Sequence, residues 1–210
     1  DRKFQAYLKS RRETGTRLNI NHLGEAILGE EEASRRFDKY MELLAKPNVE
    51  YISVKISSIF SQIHLVAFDY TVERIEDILR QLYRQAMKHL YTHPDGRKTP
   101  KFINLDMEEY RDLHLTVAAF TTVLDEEEFQ NYRAGIVLQA YLPDSAQVQR
   151  DLTSWAMERV AKGGAPIKLR IVKGANLAME QVEASIHGWE QAPYASKAGV
   201  DANYKRMVTY

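Results

Sequence analysis

Four polar side chains stand at similar places in four successive apolar segments: Lys55, Asp106, Gln139 and Arg170. A lysine supplies a point charge, and an arginine donates several hydrogen bonds in a rigid fork and cannot lose its charge. A glutamine amide both donates and accepts hydrogen bonds. If such groups converge, they could form a ligand site, although the pattern alone does not name the ligand.

Five segments that look like short strands, each followed by a helix-like stretch, would position these side chains. The strands are expected at residues 17–25, 51–57, 102–108, 135–142 and 167–174. The helices are expected up to about residue 44, at 72–90, up to about 124, up to the glycines at 163–164, and at 177–189. The fourth helix is predicted to begin with a capping box formed by Asp144 and Gln147. This alternation predicts a parallel sheet that is covered by helices.

Each predicted strand from the second onward has one apolar face and one face that carries polar groups. The polar positions are Ser53, Lys55, Ser57, Asn104, Asp106, Gln139, Lys168 and Arg170. A central strand of an open, doubly wound sheet is covered on both faces and usually reads as continuously apolar. An α/β fold of the (β/α)8 TIM-type barrel class fits better, because its strands turn one face to the helices and the other to the lumen.

The chain of 210 residues is too short for a whole barrel on this count, since only about five βα units can be identified. We therefore expect an incomplete barrel, which would be a fragment or the ordered part of a longer protein, or would borrow a missing part from a partner. Unpaired strands at the two edges of such a sheet would otherwise be exposed to solvent.

Composition excludes several classes of function. With 29 cations and 29 anions the formal net charge is zero, which gives no electrostatic case for nucleic acid. The chain has no cysteine, so disulfides and thiolate chemistry are excluded, and its six histidines show no close metal-ligand spacing. We expect no metal site. No apolar run approaches the ~20 residues that cross a bilayer.

Several motifs together resemble those of the proline dehydrogenase family. They are HLGEA (22–26), VKISS (54–58), NLDMEEY (104–110), VLQAY (137–141), LRIVKGA (169–175) and YASKAGVDANY (194–204). The resemblance covers residues 17–210 as the N-terminal five units of the family's barrel, and residues 1–16 would be a helical lead-in. The segment KGANLAMEQVEA (173–184) is most similar to the proline dehydrogenase domain of bifunctional proline-utilisation flavoenzymes, in which an aldehyde dehydrogenase follows on the same chain.

The resemblance implies an FAD-dependent enzyme that oxidises L-proline to pyrroline-5-carboxylate, the first step of proline catabolism to glutamate. A hydride would pass from proline C5 to FAD N5, and the electrons would then pass to a membrane quinone. The resemblance implies a cytoplasmic enzyme and leaves peripheral contact with the inner membrane open. We expect the present chain to be inactive alone, because the family's paired arginines, which hold the substrate carboxylate, are not in it.

The resemblance also assigns roles to individual residues. Lys55, Arg170 and Asn21 are the expected catalytic residues, with Lys55 near the substrate carboxylate. Asn21 stands where many members carry aspartate, so its bonding to the substrate-site arginines would be neutral and weaker. The expected cofactor-binding residues are Asp106, Gln139, Arg170, Val172, Gly174, Ala175, Ser196 and Lys197.

Two other readings stay open from the sequence. One is a related flavin barrel with another substrate, such as methylenetetrahydrofolate reductase, although LRIVKGA argues against it. The other is a non-catalytic truncated barrel that acts as a scaffold.

Asn176 and Leu177 stand where many proline dehydrogenases place aromatic residues, so substrate packing by those aromatics is absent or comes from elsewhere.

Overall fold

In the part of the chain that the structure describes, seven strands form a five-stranded parallel sheet and a small hairpin. The structure, a computed structural model, describes residues 2–21, 27 and 29–210. The strands are β1 (Asn19–Asn21), β2 (Tyr51–Lys55), β3 (Tyr91–Thr92), β4 (Lys98–Thr99), β5 (Phe102–Asp106), β6 (Ala134–Gln139) and β7 (Lys168–Val172). The parallel sheet has the order β1-β2-β5-β6-β7, and β3 pairs with β4 in an antiparallel hairpin.

Seven α-helices accompany these strands within the described ranges. They are α1 (Arg2–Glu13), α2 (Glu30–Ala45), α3 (Phe68–Lys88), α4 (Leu113–Asp125), α5 (Ser145–Ala161), α6 (Leu177–His187) and α7 (Lys197–Thr209). Short 3-10 turns occupy Ile56–Ser58, Leu65–Ala67, Tyr110–Asp112 and Glu127–Phe129. Each strand of the parallel sheet is followed by at least one helix before the next, so the chain forms a partial (β/α) barrel. The predicted fold class is confirmed.

The spacing of apolar residues along α3 explains why this helix forms and which way it faces. Val72, Ile75, Leu79, Leu82 and Ala86 recur at steps of three and four and are all buried. The helix begins at Phe68, four residues before the predicted start at residue 72, and ends at Lys88. Leu90, the last residue of the predicted helix, lies beyond the observed one and is 43% exposed.

Two local predictions were wrong, and one element was missed. The second strand ends at Lys55 and continues as a 3-10 turn, so Ser57 lies outside the strand. The β3–β4 hairpin was not foreseen. The capping box does not form, because the Asp144 side chain makes no cap bond and instead accepts a hydrogen bond from the Tyr110 hydroxyl at 2.8 Å.

The two faces of the sheet have different surroundings. The helix side carries Ile52, Val54, Ile103, Leu105, Ile136 and Leu138, all fully buried in one core cluster. The opposite side carries the polar positions, in register from strand to strand. Gly135 lies on this second side, where a Cβ would stand 2.6 Å from Asn104 Oδ1 and 2.9 Å from the Phe102 ring. Glycine there leaves room for its neighbours on β5.

Within the described residues, no helix combines the length and the apolar character that a bilayer crossing requires.

Candidate active site

The parallel register brings the predicted polar residues to one end of one sheet face. Lys55 is aligned with Asp106 across β2 and β5, and Gln139 is aligned with Val172 across β6 and β7. Lys55, Asp106 and Gln139 are the last residues of β2, β5 and β6, and Arg170 lies two residues before the end of β7. Because parallel strands end at the same edge of a sheet, their side chains line one mouth, where barrel enzymes place their active sites.

Asp106 is the centre of a hydrogen-bonded cluster. Its Oδ1 atom accepts from Arg170 Nη1 at 3.2 Å, Ser53 Oγ at 3.2 Å and Asn104 Nδ2 at 2.8 Å. Its Oδ2 atom accepts from Asn21 Nδ2 at 3.3 Å. The Asp106 side chain is 12% exposed, so these donors replace water around a charge that is mostly buried. Asn21 thus bonds a carboxylate of this chain.

Lys55 lies at the same mouth and forms an ion pair with Glu108, whose Oε1 accepts from the Lys55 ammonium. The Lys55 side chain is 20% exposed. Ser57 Oγ donates to the other Glu108 oxygen at 3.0 Å. Arg170–Asp106 and Lys55–Glu108 therefore balance their charges in pairs, so these four groups give the mouth no net charge.

Gln139 is almost completely buried at the end of β6, with 1% exposure. Its Nε2 atom donates to the Glu108 carbonyl at 3.0 Å and to the Tyr141 hydroxyl at 3.3 Å. Both amide hydrogens are therefore used, and the amide oxygen is the part left to accept from a ligand.

Tyr141 packs its ring against the turn that follows β7. Gly174 in that turn has φ +125°, and a Cβ there would lie 1.9 Å from the Tyr141 ring. Only glycine fits this conformation and this approach. The Tyr141 hydroxyl also lies 3.3 Å from Glu180 Oε1. Burial, and next the Glu180 carboxylate, raise the pKa of Tyr141, so it stays protonated and can donate.

The family model of proline dehydrogenase matches residues 4–210. The chain belongs to the proline dehydrogenase family. HLGEA, which supported the resemblance at the first strand, lies outside the described residues.

Two solved structures are similar to this chain in both sequence and fold. Proline Utilization A (PutA) from Corynebacterium freiburgense is 48% identical with a TM-score of 0.92, over 100% of this chain and 21% of that one. PutA from Bdellovibrio bacteriovorus, inactivated by N-propargylglycine, is 35% identical with a TM-score of 0.85, over 98% of this chain and 22% of that one. The chain thus spans about a fifth of these relatives' length.

A PutA structure from Bradyrhizobium japonicum shares the fold, with a TM-score of 0.74 and 23% identity over 90% of this chain and 19% of that one. A comparison with curated protein sequences gives no match.

Ser196 and Lys197, expected near the cofactor of a proline dehydrogenase, take part in local contacts of α7. Ser196 Oγ accepts from the Gly199 amide at 3.1 Å and so caps the helix. The Lys197 ammonium lies 2.7 Å from Asp201, which also pairs with Lys173 at 2.5 Å. These two lysines lower the pKa of Asp201 to about 2. A cofactor role for Ser196 and Lys197 stays a prediction.

The other predicted residues lie along the β7 turn. Val172 ends β7, and its carbonyl accepts from the Ala140 amide at 2.8 Å. Ala175 follows Gly174 and is exposed. The backbone from Val172 to Ala175 therefore borders the mouth where a cofactor could approach.

Sequence reasoning gave no role to Glu108, Tyr141 or Glu180. Glu108 stands two residues after Asp106, so the same alternation that selected Asn104 and Asp106 points to it. Tyr141 likewise stands two residues after Gln139. For Glu180, on α6, no signal in the strands was available.

Proposed function

We propose that the longer protein of which this chain is part oxidises L-proline to pyrroline-5-carboxylate with FAD, and passes the electrons to a quinone. The observation that carries the proposal is the Asp106 cluster with Arg170 at the mouth of a proline dehydrogenase barrel. N-propargylglycine, which inactivates the Bdellovibrio relative, is a carboxylate with a secondary amine, as proline is.

The residues at the mouth fit the polar edge of an isoalloxazine ring. The Arg170 side chain is 43% exposed, and among the described residues it donates one N–H group to Asp106. Its remaining N–H groups can donate to a ligand. The Gln139 amide oxygen can accept from a ring N–H. When bound, FAD would supply the hydride acceptor. Fixed donors and a permanent cation beside the ring would stabilise the negative charge that hydride transfer brings.

The substrate end of the mouth is formed by Lys55. An ammonium has three N–H donors, so Lys55 can keep its bond to Glu108 and still donate to a carboxylate ligand. Because the neighbouring charges cancel, a carboxylate would need further cations from outside the described residues. A fused aldehyde dehydrogenase, which the resemblance of residues 173–184 to the bifunctional enzymes implies, is part of the same proposal.

The deciding experiment is a visible spectrum of the full-length protein, recorded without oxygen before and after L-proline is added. A yellow protein whose flavin band bleaches supports the proposal. A flavin band that stays unchanged would contradict L-proline as the substrate. A protein that binds no flavin even after FAD is added would favour the non-catalytic scaffold.

An Arg170→Met variant tests whether the mouth performs the chemistry. Loss of the charge beside the ring is expected to slow flavin reduction by about a hundredfold, as removal of a preorganised donor typically does. Stopped-flow absorbance measures the rate. Arg150→Met, which removes an exposed arginine of α5, is the control and should reduce the flavin at the parent rate. Equal rates for both variants would contradict the assignment of Arg170.

A further inference from the structure

Glu108 connects the two ends of the mouth. Its side chain bonds the Lys55 ammonium and Ser57 Oγ, on β2 and the turn that follows it. Its backbone carbonyl accepts from Gln139 Nε2 at 3.0 Å, and Tyr141 OH lies 3.4 Å from the same oxygen. Glu108, which follows β5, therefore contacts side chains from both neighbouring strands of the sheet or the turns that follow them.

The carboxylate of Glu108 restricts where the Lys55 ammonium can lie. A lysine side chain carries about 2 kcal/mol of rotamer entropy, so a free lysine would sample many positions at the mouth. Both side chains are partly shielded from water, with 20% exposure for Lys55 and 28% for Glu108. An ion pair in such surroundings is screened less than one on the open surface. The second Glu108 oxygen is held by Ser57, which fixes the carboxylate in turn.

The backbone carbonyl of Glu108 acts on a different group. It accepts a hydrogen bond from the Gln139 amide nitrogen and so determines which way the amide oxygen faces. A substitution of the Glu108 side chain removes the contacts to Lys55 and Ser57 but leaves this carbonyl in place. The two functions of the residue can therefore be separated by mutation.

We propose that Glu108 is a positioning residue whose carboxylate holds Lys55 in place to receive the substrate carboxylate. The proposal rests on the proposed function, because it needs a substrate with a carboxylate at Lys55. It predicts that side-chain variants weaken the binding of carboxylate ligands while FAD affinity is unchanged. A role in folding alone would change both.

The test uses the full-length protein loaded with FAD. The dissociation constant of a saturated five-membered-ring carboxylate that lacks the amine is measured from the change in the oxidised flavin spectrum. KM and kcat for L-proline are measured with an artificial electron acceptor, and the dissociation constant of FAD is measured by fluorescence.

Glu108→Ala is expected to raise the ligand dissociation constant and KM by about tenfold, the effect of losing one charge-assisted contact, with kcat within about threefold. Glu108→Gln should lie between parent and Ala, because its amide oxygen can still accept from Lys55. FAD affinity should stay at the parent value in both. Glu109→Gln is the matched control, since the neighbouring Glu109 carboxylate pairs with Arg111 at 2.6 Å.

Three results would overturn the proposal. If Glu108→Ala lowers KM, Glu108 competes with the substrate and does not position Lys55. If KM and the ligand dissociation constant are unchanged, the contact has no role in binding. If Glu108→Ala and Glu109→Gln both lose FAD, the segment is structural. If the parent protein neither binds the ring carboxylate nor oxidises proline, the proposed function itself is overturned, independently of any Glu108 variant.

Discussion

A single buried lysine far from the mouth shows how burial changes a side chain's charge. Lys101 is 1% exposed, and its ammonium donates to the Lys46 carbonyl at the end of α2. Burial disfavours the charged ammonium and lowers the pKa of Lys101 from 10.5 to about 8. The folded protein therefore holds this proton more weakly than the unfolded chain does.

Stability is expected to rise with pH between about 8 and 10 on account of Lys101. In this range the unfolded lysine stays protonated while the folded one loses its proton, so the unfolded state binds more protons and the free energy of unfolding increases. Below pH 8 both forms are charged, and the cost of burying the charge is present in full. Lys101→Met should remove the rise.

Urea unfolding of the full-length protein at pH 7.5, 8.5 and 9.5 measures this slope. Lys98→Met, a variant of an exposed lysine on β4, is the control and should keep the parent slope. Equal slopes for parent and Lys101→Met would show that Lys101 does not titrate in this range.

At the scale of elements, one arginine holds the ends of several together. Arg159 on α5 is 5% exposed and donates to the carbonyls of Phe129 and Gln130 at 2.7 Å and of Ala165 at 3.0 Å. It also donates to the Leu124 carbonyl near the end of α4. These carbonyls lie where helices and turns end and intrahelical donors are missing. Those of Phe129 and Gln130 also accept from the Tyr132 and Ala165 amides at 2.8 Å, so Arg159 adds a second donor there.

Arg159→Met is expected to destabilise the protein by about 3 kcal/mol, because it removes several buried hydrogen bonds from a charged donor, including those to the Leu124 and Ala165 carbonyls. Arg150→Met, from the exposed side of the same helix, should change stability by less than about 0.5 kcal/mol. Chemical denaturation of both variants measures the difference. A similar small loss in both would mean that water satisfies these carbonyls once the guanidinium is removed.

At the scale of the molecule, an apolar groove lies on the outer side of β7 and α5. It has a volume of about 610 Å³ and is lined by Thr153, Met157, Val160, Pro166, Ile167 and Leu169. Met157 is 68% exposed and Val160 is 47% exposed. In the described residues, β7 also pairs on one side only. Exposed apolar patches of this kind bind other apolar surfaces.

The 210-residue chain, produced on its own, is expected to bind a hydrophobic dye in this groove. A Met157→Lys, Val160→Lys double variant should reduce the dye fluorescence by about half, since charges would line the groove. Phe4→Lys on α1, where Phe4 is 47% exposed, is the control for a change elsewhere. Equal fluorescence in the double variant and the parent would show that the dye binds at another surface.

Local periodicity predicted much of the fold and part of the candidate site. The three-and-four spacing along α3 and the alternation in β2, β5, β6 and β7 each lie within one segment, so a single stretch of sequence contains them. Asp106, Gln139 and Arg170 were found in this way. The β3–β4 hairpin was missed because its strands are two residues each, too short for a pattern. The capping box was wrong because Asp144 has a tertiary partner in Tyr110.

The succession of strands and helices, the polar face of the sheet and the family can be read from the amino-acid sequence. Which polar groups bond to which depends on the folded chain. Asn21 meets Asp106 across 85 positions, and Lys55 meets Glu108 across 53. Such pairs depend on the register of strands that are distant in the chain, whereas alternation along one strand is set by its own backbone.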